Sequence, residues 1–233
     1  MTFPFTSSLT RREAICVLLY LPLQMALLPL GIGYLAARAG IDLAWANFLY
    51  YDVGFCYMLL AGFRFLRRDF DPLADRPFYV LARILTSYAL LMLCNIATAN
   101  IILHFLPESR NENNEALLEM VTQNAGPMKA ALIFLAPMVE EMLFRAGVFG
   151  TLRKRSRLAA YAVSALLFAV YHVWSYVVDN PAYWLYLLEY IPAGLLLARC
   201  YERCNSIWGS IGFHMLVNAM SLSLYEVASQ LGA

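Results

Sequence analysis

Six side chains that can exchange protons, carry charge or donate hydrogen bonds lie within apolar runs of this 233-residue sequence: Glu140, Glu141 and Arg145 in VEEMLFR, His172 in FAVYH, and His214 and Asn218 in HMLVN. Ionisable groups are expensive in hydrocarbon, so their grouping marks a candidate functional site. Two of the three histidines of the chain are among them. A carboxylate, two imidazoles and an amide in a dry pocket suit hydrolysis. The carboxylate takes a proton from water, while an imidazole and the amide donate to the oxyanion of a tetrahedral intermediate. Peptide hydrolysis is the reaction that such a set describes.

Spacing sharpens this reading. His214 and Asn218 are four residues apart and share a helical face, as do Phe168 and His172, and Glu141 and Arg145. Glu140 points about 100° away from Glu141 at 3.6 residues per turn. The division that follows gives Glu141 to Arg145 as its counter-ion and leaves Glu140 facing the histidines. Arg145 keeps its proton and is read as structural, and Phe168 as packing one turn from His172.

These residues must be held by membrane helices. The chain is 61% hydrophobic and 14% charged, outside the range of soluble domains. Seven runs approach or exceed the length that crosses a bilayer: 14–36, 44–64, 78–106, 127–150, 158–178, 182–199 and 206–226. The first is too long for a signal-peptide core and is read as a retained span. Pro22, Pro29 and Pro192 inside these runs are tolerated where neighbouring helices resatisfy freed carbonyls. The polar linker 107–126 is expected to form a surface loop with a short helix.

Basic residues test the count, since Lys and Arg gather on the cytoplasmic side. With the N-terminus cytoplasmic, thirteen of the seventeen fall inside, and Arg38, Arg110 and Lys129 fall on the opposite face. The expected fold is therefore an all-α polytopic bundle of about seven transmembrane helices, multi-pass in the cell membrane. Counting about 1.5 Å per residue from the cytoplasmic ends puts Glu140, His172, His214 and Asn218 roughly 12 to 21 Å deep, near mid-membrane. No basic block suggests nucleic acid. The five cysteines read as small buried hydrophobes; Cys200 and Cys204 share a face but lack a full metal-ligand set.

The succession EExxxR, FxxxH and HxxxN resembles the CPBP family of intramembrane proteases. It is seen here as Glu140 to Arg145, Phe168 to His172 and His214 to Asn218, with Asn205 to Phe213 leading into the third motif. That family includes the type II CAAX prenyl endopeptidases and bacteriocin-processing and self-immunity proteins. The resemblance covers roughly 127–222 and divides the chain into a three-helix membrane region (1–126), a protease-like core (127–226) and a C-terminal tail (227–233). It implies that Glu140 activates water with help from His172, that His214 and Asn218 hold the oxyanion, and that Glu141 and Arg145 shape the site. It implies a substrate that is a membrane-anchored protein, a CAAX-like protein or a peptide precursor, and no cofactor.

Other readings of the same residues stand beside this one. Two imidazoles and a carboxylate are also a zinc-site pattern, although there is no HExxH and Asn218 is a better oxyanion donor than ligand. A non-enzymatic scaffold or self-immunity protein would bind a membrane partner instead. A proton-coupled transporter would use the groups as a relay but predicts paired repeats, which the sequence lacks. Glu189 is placed outside the site, and Asp52, Asn95, His104 and the many Tyr and Trp residues are read as interfacial or packing groups.

Overall fold

The computed structural model describes residues 5–107, 110–123 and 125–230. Among the described residues there is no strand. The long helices are α1 (Arg11–Ala39), α2 (Leu43–Arg68), α3 (Pro77–Phe105), α4 (Glu112–Gln123), α5 (125–153), α6 (Arg157–Val177), α7 (Leu187–Cys204) and α8 (Ile207–Gln230). The all-α expectation is met. Among the described residues four helices are long and apolar enough to cross a membrane: α1, α3, α6 and residues Ile207–Val227 of α8. The other three predicted spans are helical where they were expected, in α2, in α5 and in α7 with the 3₁₀ turn Pro181–Tyr186 before it. Helix α8 runs on through 227–230, where a tail was expected; residues 231–233 lie outside the described residues.

Local chemistry fixes the helix ends. Thr10 and Glu13 form a capping box on α1, and Gly40, in the left-handed region at φ 65°, ends it. Asp42 caps α2 through Ala44 N–H at 2.7 Å, and Ser156 caps α6 through Ala159 N–H at 3.2 Å. The start of α8 is capped from elsewhere: the Ile207 N–H donates to the Asp69 carboxylate, and Ser206 Oγ donates to the Asp69 carbonyl at 2.7 Å.

The outside of the bundle is apolar and its inside carries charge. Leu60 and Phe78 are 86% and 85% exposed, while Glu141 and Arg145 are fully buried. Large exposed apolar surface of this kind needs an apolar partner, and lipid supplies one along the whole height of a helix. The basic end is stitched together: Lys154 Nζ donates to Leu9 O at 3.2 Å, Arg68 to Ser8 O at 3.2 Å, and Glu202 binds Arg153 at 2.6 Å and Arg157 at 2.7 Å.

Two helices depart from regular geometry beside the site. In α1, Pro22 is followed by a π turn at Leu23–Leu27; α5 contains π segments at Ala131–Leu135 and Glu141–Phe149. Such turns leave carbonyls short of intrahelical partners and recur at functional sites. Here the Gln24 carbonyl accepts from Tyr50 Oη at 2.8 Å, the Leu132 carbonyl from Asn218 at 2.8 Å and the Phe144 carbonyl from Ser164 at 2.8 Å.

Candidate active site

Helices α5, α6 and α8 bring the predicted residues together. Glu140 Oε2 lies 3.7 Å from His172 Nε2 and 3.8 Å from His214 Nε2. It is buried and makes no hydrogen bond with another described residue. The two imidazoles thus converge on one carboxylate oxygen at just over hydrogen-bond distance, leaving that oxygen free to engage a water.

Glu141 turns the other way, and its surroundings are richer than the sequence implied. It pairs with Arg145 at 3.2 Å, accepts from the Ser210 hydroxyl, and lies 3.0 Å from His214 Nδ1. Arg145 is clamped from three sides: Glu141, the Gly194 carbonyl at 3.3 Å, and the Phe168 ring, 4.2 Å below its Cζ. A guanidinium over an aromatic face is attracted by the ring quadrupole. Phe168 therefore does more than fill space, since it also contacts both His172 and His214 edge-on or tilted, at centroid distances of 4.5 and 5.9 Å.

The hydrogen bonds fix which nitrogens carry protons. His172 Nδ1 sits 2.8 Å from the Phe168 carbonyl, an acceptor only, so it holds the proton and a neutral His172 offers Nε2 as an acceptor toward Glu140. His214 Nδ1 likewise donates to the Glu141 carboxylate, so His214 donates from Nε2 only as the imidazolium. Asn218 spends one N–H on Leu132 O, leaving its second N–H for another acceptor.

These groups line a cavity of about 610 Å³, a size suited to a ligand or a stretch of peptide. Sequence reasoning missed much of its wall. Tyr190 was read as packing or interfacial, yet its ring stacks on His172 at 4.5 Å and 19°. Glu189 was placed outside the site but lines this same cavity. The 3₁₀ turn that begins at Pro181 and the linker folding back over α7 bring it there, with Asn111 Nδ2 2.8 Å and Asn114 Nδ2 3.3 Å from its carboxylate. The first two helices also reach the cavity through Tyr50 and Met25. Tyr50 Oη lies 2.9 Å from Tyr171 Oη, so α1, α2 and α6 share one hydrogen-bonded wall.

Of possible metal ligands, Glu140, His172 and His214 are the set the sequence singled out. As they stand, among the described residues no three His, Cys, Asp or Glu groups are arranged to hold an ion. Cys200 and Cys204 are buried with their sulfurs 3.9 Å apart and only each other as thiol partner.

Residues 122–220 match the Rce1-like family, described as Type II CAAX prenyl endopeptidase Rce1-like. This segment contains all three motifs, and the resemblance read from them is borne out over it. The chain is also similar to "Putative membrane peptidase YdiL" of Bacillus subtilis (strain 168), 28% identical over 109 residues. That match covers 46% of this chain and 41% of the relative, so the chain spans well under half the length of the curated relative it matches. No solved structure matches. With its apolar helices and this likeness to a membrane peptidase, the chain is an integral membrane protein set in a lipid bilayer.

Proposed function

We propose that the protein is an intramembrane endopeptidase that cuts membrane-anchored, CAAX-like or peptide-precursor substrates with a glutamate-activated water. The observation that carries this reading is Glu140 Oε2, buried and unbonded, facing both imidazoles within a peptide-sized cavity. Glu140 takes a proton from the water as its oxygen attacks the scissile carbonyl carbon. His172 Nε2, presented as an acceptor by the Phe168 bond, orients that water and shares the proton. The free N–H of Asn218, together with His214 when its Nε2 carries a proton, holds the oxyanion, and the proton then passes to the leaving amine. Glu141 and Arg145 position the site: Glu141 grips His214 Nδ1, and Arg145 keeps Glu141 charged and in place.

The chain is proposed to cross the cell membrane seven times with its N-terminus in the cytoplasm, the basic end lying inside. The cavity, lined at one end by Leu43, Asn47, Asn113 and Asn114 at the starts of α2 and α4, then faces away from the cytoplasm. A zinc-dependent variant of the reaction is the second reading of the same groups, since two Nε2 atoms lie 3.7 and 3.8 Å from one carboxylate oxygen, although as they stand the three are not arranged to hold an ion. The non-enzymatic scaffold is the alternative of another class.

The test is cleavage of a co-expressed library of membrane-anchored candidates by wild type and Glu140→Gln, with the wild type repeated under chelator. Loss of cleavage in a correctly inserted variant, without a chelator effect, supports the metal-free mechanism. Chelator-sensitive cleavage moves the reading to zinc. Cleavage that persists without Glu140 sinks the assignment, and a cellular phenotype that survives without any cleavage favours the scaffold.

A further inference from the structure

The cavity carries a second carboxylate for which the proposed hydrolysis has no use. Among the glutamates, Glu13, Glu115, Glu141, Glu202 and Glu226 each have a lysine or arginine partner within 3.5 Å, and Glu140 has its two imidazoles. Glu189 has no such cation among the described residues. Its two oxygens accept only from the side-chain amides of Asn111 and Asn114. The arginine of the covering segment, Arg110, is turned instead to Glu115 at 3.3 Å. Neutral amides solvate a carboxylate but do not neutralise it, and a charge left unbalanced in a low-dielectric wall attracts any cation that can reach it.

A cation can reach it, because Glu189 lines the cavity. The rest of the lining includes no lysine or arginine, and its formally anionic members are Glu140 and Glu189. Glu189 is also close to the reacting groups. Asn111 Nδ2 bonds both its carboxylate, at 2.8 Å, and Tyr190 Oη, at 3.0 Å, and the Tyr190 ring lies on His172.

We infer that Glu189 is a specificity-determining residue, the wall of a subsite that takes a lysine or arginine side chain, or a free α-amino group, of a bound peptide beside His172. An inorganic cation is a poorer fit. The amide nitrogens, not the oxygens, face the carboxylate, while Asn111 and Asn114 oxygens accept from Tyr190 Oη at 3.3 and 3.4 Å, so the oxygen cage that a hard divalent ion demands is missing. An organic ammonium or guanidinium needs only the carboxylate. The inference rests on the proteolytic reading for the peptide nature of the occupant alone.

Binding tests it apart from catalysis. The full chain carrying Glu140→Gln, in detergent, is titrated into three dansylated apolar hexapeptides that differ at one central residue: lysine, norleucine or glutamate. The expected result is a preference of about tenfold for lysine over norleucine, the scale of one charge pair that is partly desolvated. Adding Glu189→Gln reduces that ratio to within about twofold while norleucine binding stays the same, which also shows that the variant is folded; Glu189→Lys shifts the preference to the glutamate peptide. Equal binding of the three peptides to the parent, or no binding of any, overturns the subsite, as does a lysine preference that survives Glu189→Gln. A lysine preference accompanied by no cleavage of the same peptide in the wild type removes the protease reading and leaves the subsite standing.

Discussion

Replacing Arg145 by methionine tests whether the fully buried ion pair is a structural clamp with a separate positioning role. Both partners are 0% exposed, with Nη1 3.2 Å from Glu141 Oε1. Removing the guanidinium leaves Glu141 with only the Ser210 hydroxyl and His214 Nδ1, and it also frees the Gly194 carbonyl and uncovers the Phe168 ring. Breaking a buried pair from one side costs about 3–5 kcal/mol, because the remaining charge is stranded. For a chain of this size each kcal/mol is worth about 2–4 °C, so the apparent Tm in detergent is expected to fall by about 10 °C or more. The double variant Arg145→Met with Glu141→Gln removes both charges and should recover most of that loss, with a coupling of about 2–3 kcal/mol. It should not recover cleavage, since a neutral amide holds His214 Nδ1 less firmly than the carboxylate does, and kcat is expected to stay about a hundredfold down. Thermal unfolding followed by tryptophan fluorescence, alongside cleavage, reads both effects. A loss under about 3 °C in the single variant, or a double variant no more stable than it, refutes the argument.

Other predictions follow from particular contacts. Glu140→Gln removes a buried charge whose Oε2 makes no hydrogen bond, so it should leave the apparent Tm unchanged or raise it by a few degrees while cleavage is lost; a large destabilisation would mean that Glu140 is a structural group. Gly194→Ala would set its Cβ 2.9 Å from Ala165 Cα and 3.1 Å from its Cβ, forcing α7 off α6 at a cost of about 1–3 kcal/mol, whereas Gly31→Ala, with nothing within 4 Å, should be neutral or slightly stabilising. Equal effects at the two glycines in thermal unfolding would contradict the close approach. Burial pushes the Asp69 carboxyl up to about 6 from 3.8, against the lowering effect of the Ile207 N–H, Ser7 and Arg68. Because its folded pKa is the higher, the stability that it contributes is full below about pH 4 and is lost as pH rises through about 6. Asp69→Asn, which keeps an acceptor for Ile207, should flatten that slope in a Tm-against-pH series, and an unchanged slope would assign the dependence elsewhere.

The helices and the heart of the site were legible because the membrane makes two signals strong. Apolar length marks a helix that crosses lipid, and polar groups within it stand out, so Glu140, His172 and His214 could be named and their meeting anticipated from depth alone. The separate directions of Glu140 and Glu141 followed from the helical repeat. Three features did not follow. The π segments at Leu23–Leu27, Ala131–Leu135 and Glu141–Phe149 depend on what packs beside a helix, and no residue type announces them; the carbonyls they free are what Tyr50, Asn218 and Ser164 bind. Tyr190 looked like any tyrosine of a membrane protein, because stacking on an imidazole is a property of two helices and is written in neither. Glu189 did carry a signal, an ionisable residue in an apolar run, and it was discounted for matching no motif and for lying toward the outer edge of its span. A loop read as mere surface then proved to bring asparagines to it: Asn111 and Asn114 are what let a carboxylate without a counter-ion stand beside the site. Motifs mark the groups proposed to react, whereas the residue proposed to choose a substrate lies on an element that closes the cavity, and in this chain the motifs leave that element unmarked.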